Sequence, residues 1–285
     1  MRLPGPLSRI WPARILGRWV GGVLWALGLA AGLAASPLGA ADLYVNMTPE
    51  YASGHYGNPT RTVAISAPLD LRLVTDRNSF TLRVPYLSVN GPSNFVPRIG
   101  EVGEGSDPRG SGTTRGLGDV RLTATHALLQ AGDTIWEPYL GLAAQLRVPT
   151  AVPAGLGSGQ VETFLRADFG ANISETLAFD ISIGRRFVPF PIRGGGGADY
   201  WTFFGSLALD VTDDWTIGVS MDAQNRVPEA NRPVLEAGLF VEYSLTPDLT
   251  LGAFAWRGFT TESVDYSFGL RFSYRVPVRG GRLAP

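Results

Sequence analysis

Apolar and polar residues alternate along most of this chain. The last run is the clearest. Val264, Tyr266, Phe268, Leu270, Phe272, Tyr274 and Val276 share one face of an extended strand, while Asp265, Ser267, Gly269, Arg271, Ser273 and Arg275 share the other. Leu165, Ala167 and Phe169 alternate with Arg166, Asp168 and Gly170. Leu177, Phe179, Ile181 and Ile183 alternate with Ala178, Asp180, Ser182 and Gly184. A period of two marks β-strands, and no segment after Ala41 sustains a helical period. Twelve strands are predicted, at 42–52, 60–74, 79–89, 117–129, 134–148, 160–172, 177–189, 199–211, 215–225, 234–245, 249–258 and 264–276. Short connections (Thr75–Asn78, Gln130–Asp133, Ile173–Thr176, Thr212–Asp214, Thr246–Asp248) alternate with longer ones, notably Asn90–Gly116, Pro149–Gly159, Phe190–Ala198 and Arg226–Pro233.

An even strand count with short turns at one end and long loops at the other predicts an all-β fold: a transmembrane, antiparallel, up-and-down barrel occupying residues 41–285. In lipid every backbone N–H and C=O must be paired internally, so the sheet must close. A soluble sandwich or lipocalin-like barrel also alternates, with its apolar face inside. Three features favour the membrane version. Charges such as Arg121, Asp180, Asp222, Glu236 and Glu242 lie opposite apolar stripes. Glycines at 141, 170, 184, 218, 238, 252 and 269 fall on that same polar face, where small residues relieve crowding in a narrow lumen. Aromatics gather at strand ends, with Trp136 and Trp215 expected to begin strands after short turns and Trp201 near a long loop, as in interfacial girdles. Trp256 has inward parity, which points to a bulge in its strand. The short turns are then periplasmic and the long loops extracellular.

Composition narrows the chemistry. The first forty residues carry Arg2, Arg9, Arg14 and Arg18, then an apolar run from Trp19 to Ala35, then small residues at Gly39, Ala40 and Ala41. That order is expected of a secretory signal peptide cleaved after Ala40 or Ala41, favoured over a retained membrane helix because the apolar run Trp19–Ala35 is at the low limit for spanning, so the expected location is the cell outer membrane. Its removal leaves 20 arginines against 25 acidic residues, a net charge of −5. There is no lysine, which excludes a P-loop lysine and a Schiff base. There is no cysteine, which excludes disulfides, thiolate metal sites and a thiol nucleophile. Two histidines, His55 and His126, are too few for a multi-histidine metal site, and no basic block is present to bind nucleic acid. No metal, cofactor or catalytic residue is expected. Outer-membrane lipid hydrolases pair a histidine with a serine two residues on, whereas His126 is followed by Ala127 and Leu128. The Gly-rich stretches 155–159 and 194–197 are not followed by lysine and read as loops.

Two passages carry a resemblance. Gly116-Leu117-Gly118-Asp119-Val120-Arg121-Leu122 opens one strand. Leu146-Arg147-Val148-Pro149-Thr150 closes the next, and Gly155-Leu156-Gly157-Ser158-Gly159 follows it. Together they resemble a bacterial outer-membrane family named for the MetA pathway of phenol degradation, with Ala151 where a glycine usually follows the Pro-Thr pair. The resemblance implies a small transporter-like barrel with hydrophobic or aromatic cargo. Ser267 to Tyr274 resembles the barrel-assembly signal of a terminal strand, with Gly269, Phe272 and Tyr274 at its marked positions, although Pro277 to Pro285 extend beyond it. That implies the barrel-assembly machinery as a partner.

The expected function is passive conduction of a small-molecule cargo by a monomer embedded in outer-membrane lipid. The alternative is a structural or surface-contact barrel with a plugged interior. By parity the lumen candidates are Arg121, Gln145, Arg147, Arg166, Asp168 and Arg186. Inward charges either pair across strands or line an aqueous path, and pairing is the favoured reading for most. Twelve strands leave a narrow lumen at best, over whose mouth the long Asn90–Gly116 connection is expected to fold. Pro68 and Pro85 each interrupt a strand without a donor, and a turn between Asp76 and Arg77 sets them opposite one another. They mark a wall defect, either a bulge or a lateral opening for hydrophobic cargo.

Overall fold

The computed structural model describes residues 41–92, 95–96, 100–101, 112–130, 135–188, 199–227 and 232–278. Residues 1–40, expected to be a leader, most of the Asn90–Gly116 connection, the Gly194–Gly197 stretch expected to be a loop, and residues 279–285 lie outside these residues. Twelve wall strands follow one another: β1 (Ala41–Met47, continued by Glu50–Gly54), β2 (Thr62–Val74), β3 (Asn78–Asn90), β4 (Thr113–Leu117, continued by Val120–Leu129), β5 (Tyr139–Val148), β6 (Glu162–Asn172), β7 (Leu177–Phe187), β8 (Tyr200–Asp210), β9 (Trp215–Gln224), β10 (Val234–Thr246), β11 (Leu249–Gly258) and β12 (Tyr266–Val278). Each pairs antiparallel with its sequence neighbours, and β12 closes on β1 from Ala41↔Val278 to Ser53↔Tyr266. The result is a closed twelve-stranded barrel.

The wall is inside-out relative to a soluble barrel. Outward residues are apolar and exposed, as at Leu239 (66%), Phe268 (54%) and Ile181 (53%). Inward residues are polar and buried, as at Glu236 (0%), Ser267 (2%) and Arg147 (3%). A belt of exposed apolar side chains on this scale is a lipid-facing surface. Aromatics mark both of its edges: Trp215, stacked on Tyr243 at 4.6 Å, lies at the short-turn end, and Trp201 at the long-loop end.

The wall departs from the expected strands at several points, each with a local cause. Strand β1 was expected to run unbroken to residue 52, but the ladder lapses at Thr48-Pro49. Met47 faces Leu69 and Glu50 faces Ser66, so the register continues and no residue is inserted. Strand β4 starts earlier than expected and breaks at Gly118-Asp119. Tyr86↔Leu117 and Arg83↔Arg121 enclose one more residue on β4 than on β3, a β-bulge. Trp136 does not begin a strand: it sits in a turn at φ 67°, its N–H donating to the Asn172 carbonyl at 3.0 Å. Pro138 has no N–H to offer a ladder, so β5 starts only at Tyr139. The bulge expected beside Trp256 is absent, because β10 and β11 stay in register from Glu236↔Gly258 to Ser244↔Thr250. Trp256 does point inward. Strand β12 runs on to Val278, so Pro277 lies within it, opposite Asp42.

Candidate functional site

Register alone sets a row of cations on one side of the lumen. Arg83 on β3 faces Arg121 on β4, and Arg121 faces Arg147 on β5. Like charges directly opposite one another are destabilising unless anions intervene. Asp70 on β2 accepts two hydrogen bonds from Arg83, at 2.7 and 2.6 Å. Arg147 lies between Asp119 at 2.9 Å and Glu162 at 3.1 Å, all three buried. Glu162 also holds Arg186 at 3.0 Å. The sequence placed Arg121, Arg147 and Arg186 on the inward face but revealed neither Arg83 nor the carboxylates Asp70, Asp119 and Glu162. Asp119 sits in the bulge two residues before Arg121 and faces the lumen with it, while Leu117 beyond the bulge faces outward.

Asp119 is the hub of this end of the barrel. Besides Arg147 it accepts the backbone N–H of Thr150 and Ala151, each at 3.1 Å, and of Ser158 at 2.8 Å. One carboxylate therefore pins both ends of the β5–β6 loop. The glycines of the motif make this possible. Gly116 has φ +153°, and a Cβ there would overlap the Val152 carbonyl, which accepts the Leu117 N–H at 3.0 Å while the Val152 N–H donates to the Leu117 carbonyl at 2.8 Å. Gly157 leaves the space that the Asp119 carboxylate fills. The pinned loop turns inward through a short 3₁₀ segment, Ala154–Leu156, and buries Leu156 completely. Leu156 packs with Leu87, Val89, Ala64, Ala52 and Val264, inward residues near the long-loop ends of β3, β2, β1 and the approach to β12. An apolar roof thus stands over the lumen. Of the Asn90–Gly116 connection, expected to cover the mouth, Val96 joins this cluster.

The opposite wall is aromatic. Phe240, Phe254 and Trp256 on β10 and β11 point inward, each directly across from a glycine on the next strand: Gly218, Gly269 and Gly238. A Cβ at any of these glycines would collide with the facing ring. The rings therefore lie flat on the wall, and the glycines are their seats. Tyr139 sits against Gly170 in the same way, with its hydroxyl donating to Asp180 at 2.8 Å. The alternation shows the inward glycines and gives Trp256 inward parity, while Phe240 and Phe254 escape it because bulky apolar residues read as lipid-facing.

Between the two walls is a cavity of about 500 Å³, within the range of small-molecule sites, roughly 300–1,000 Å³. Its lining includes Arg83, Arg121, Arg147, Phe204, Phe254 and Trp256, with Leu156 on the long-loop side. Of the sequence candidates, Arg121 and Arg147 line it. Gln145 donates to Thr123 at 3.0 Å. Arg166 pairs with Asp168 at 2.6 Å, and Asp168 accepts from Ser182, also at 2.6 Å. Arg186 is tied to Glu162. These four share the inward face outside the cavity. No cluster that would hold a metal ion occurs among the described residues.

Pro68 and Pro85 line the same cavity. They face each other in an uninterrupted β2–β3 ladder. Their carbonyls point away from that ladder, Pro68 O accepting from Thr48 at 3.3 Å and Pro85 O from Gly118 at 2.9 Å. The missing donors therefore belong to the flanking seams, and there β1 lapses at Thr48-Pro49 and β4 bulges at Gly118-Asp119. Each proline is matched by an irregularity in its outer neighbour. Gly269 faces the lumen, and Phe272 and Tyr274 lie on the exposed outer face of β12. His126 hydrogen-bonds Asn78 at 2.7 Å, and His55 meets Asp265 at 2.9 Å.

Comparison with known proteins bears on the fold. No protein-family model and no curated protein sequence matches this chain. Among solved structures, the COG4313 outer membrane channel from Pseudomonas putida F1 superposes with a TM-score of 0.60 at 16% identity, covering 85% of this chain and 97% of that one. The NanC porin superposes with a TM-score of 0.53 at 11% identity, covering 81% of this chain and all of the other. Both are outer-membrane barrels, and at these identities the likeness is one of fold.

Proposed function

We propose that this protein is a monomeric outer-membrane channel that passively conducts small hydrophobic or aromatic molecules. The observation that carries this reading is a small-molecule-sized cavity held inside a barrel whose outer surface is built for lipid. The two neighbours with the same fold are themselves described as a channel and a porin, which supports the reading. So does the resemblance of Gly116–Gly159 to the phenol-degradation family. In this reading residues 1–40 are a leader removed on export, and β12 presents Gly269, Phe272 and Tyr274 to the assembly machinery. The interrupted seams beside Pro68 and Pro85 are candidate exits for hydrophobic cargo into the membrane.

A second reading has its own observation. The buried Leu156 cluster narrows the long-loop end of the barrel, as it would in a structural barrel that conducts nothing. Planar-bilayer recording of the purified mature protein, with uptake of phenol and toluene by a deletion strain, separates the two. The channel reading expects discrete conductance steps and slower uptake in the deletion strain. A silent bilayer with unchanged uptake favours the structural barrel.

A further inference from the structure

The outer face of the wall carries charge at one end only. Among the described residues, its strand positions hold no aspartate or glutamate and three arginines: Arg115 on β4, Arg185 on β7 and Arg257 on β11. Their registers, Arg115↔Ser88, Arg185↔Trp201 and Arg257↔Tyr266, set all three at the long-loop end. Arg61 joins them just before β2, its guanidinium 5.9 Å from the centre of the outward Tyr266 ring.

Arg61 and Arg257 converge although β2 and β11 stand three strands apart in the ring. The start of β12 lies between them. Arg61 reaches the Asp265 carboxylate at 3.1 Å and donates to Ser53 at 3.3 Å. Arg257 donates to the backbone carbonyl of Asp265 at 3.0 Å. His55 meets the same Asp265 carboxylate at 2.9 Å. Two guanidiniums thus gather around one carboxylate, and the patch is cationic even with His55 neutral. Arg185 differs, since Asp199 at 3.1 Å balances it. Below the cationic pair the wall is aromatic. Tyr51 stacks on Tyr266 at 6.3 Å and on Phe268 at 5.2 Å, and Phe268 leads into the apolar belt. A ligand that fills this surface presents an anion at the rim and hydrocarbon beneath it. An inorganic anion would leave the rings uncovered, and an acidic protein would have to follow them into the bilayer. A membrane lipid meets both demands. Arginines at a membrane surface attract anionic head groups, and guanidinium matches phosphate with parallel N–H donors.

We propose that Arg61 and Arg257 form a docking site for a phosphorylated lipid of the outer leaflet, its phosphate held between the two guanidiniums and an acyl chain lying along Tyr51 and Phe268. The proposal rests on a lipid-facing wall with the long loops outward and is independent of conduction.

The test uses the full mature protein in a non-ionic detergent, with bound lipid read by native mass spectrometry. The probes are diphosphoryl lipid A, dioleoylglycerol (acyl chains, no phosphate) and inorganic phosphate (no acyl chain). Lipid A should bind at concentrations at least about tenfold lower than dioleoylglycerol, and equimolar inorganic phosphate should not displace it. The double variant Arg61→Gln/Arg257→Gln should bring lipid A down to the level of dioleoylglycerol. Arg257→Gln alone should give an intermediate loss, and Arg185→Gln should leave binding unchanged. Heat-modifiable mobility on gels checks that each variant folds. Undiminished lipid A binding in folded Arg257→Gln and in the folded double variant overturns the proposal. So does an equal loss in Arg185→Gln, or displacement of lipid A by equimolar inorganic phosphate. A silent bilayer with lipid A bound at this patch keeps the docking site and overturns the channel reading instead.

Discussion

Asp119 concentrates more of the architecture than any other single side chain. It neutralises Arg147, one of three arginines in a row, and its oxygens hold the loop that carries Leu156 over the lumen. Removing one partner of a buried ion pair typically costs about 3–5 kcal/mol, because the other charge is left uncompensated. Asp119→Asn keeps the shape and loses the charge. The variant should fold with a lowered unfolding temperature and, with its roof loosened, conduct more than the wild type in bilayer recordings. Glycines offer a second contrast. At Gly218 any side chain would meet the Phe240 ring and the Leu207 carbonyl, whereas a Cβ at Gly205 on the outer face finds only the Asp180 carbonyl, at 3.8 Å. Gly218→Val should therefore abolish the heat-modifiable folded band, and Gly205→Ala should leave it unchanged.

At the scale of strands, the pattern of two is strong wherever both faces obey it and weak where backbone chemistry intrudes. Strands β6 to β12 could be placed within a few residues because lipid outside and a polar lumen inside impose opposite demands on successive positions. Among β1 to β5, boundaries slipped where proline removed a donor, as at Pro138 before β5 and Pro49 within β1. The bulge at Gly118-Asp119 escaped the alternation because one extra residue reverses the parity of all that follows. The carboxylates that tie the arginine row together were hidden for a different reason: which strand supplies a partner depends on register, and register is long-range. Strand β12 makes a prediction of its own. It pairs with β1 to close the barrel and exposes Phe272 and Tyr274 on the outer face. Changing both to alanine should lower the amount of protein inserted in the outer membrane, as read by fractionation and immunoblotting, while the protein still refolds in detergent. Normal insertion would show that these rings serve only as a girdle.

For the whole molecule, closure and polarity act together. The sheet has no free edge, its outer face is apolar and exposed, and its inner face gathers the arginines and carboxylates into paired clusters around a roofed cavity. Hydrophobic burial in a soluble core cannot account for such a wall, since the large apolar side chains are the ones left uncovered. Hydrocarbon outside and a wetted, charge-lined lumen inside account for both halves of the pattern. The chain contains no cysteine, so this division is directly measurable with single cysteines carrying spin labels in lipid bilayers. Labels at Val219, Leu239 and Phe268 should respond to oxygen dissolved in the lipid and be shielded from a water-soluble nickel chelate. Labels at Ser206 and Ser220, which line the cavity, should be shielded from lipid-dissolved oxygen. Outer-face labels relaxed by the water-soluble chelate as strongly as a loop label at Val152 would contradict the lipid-facing wall on which the account stands.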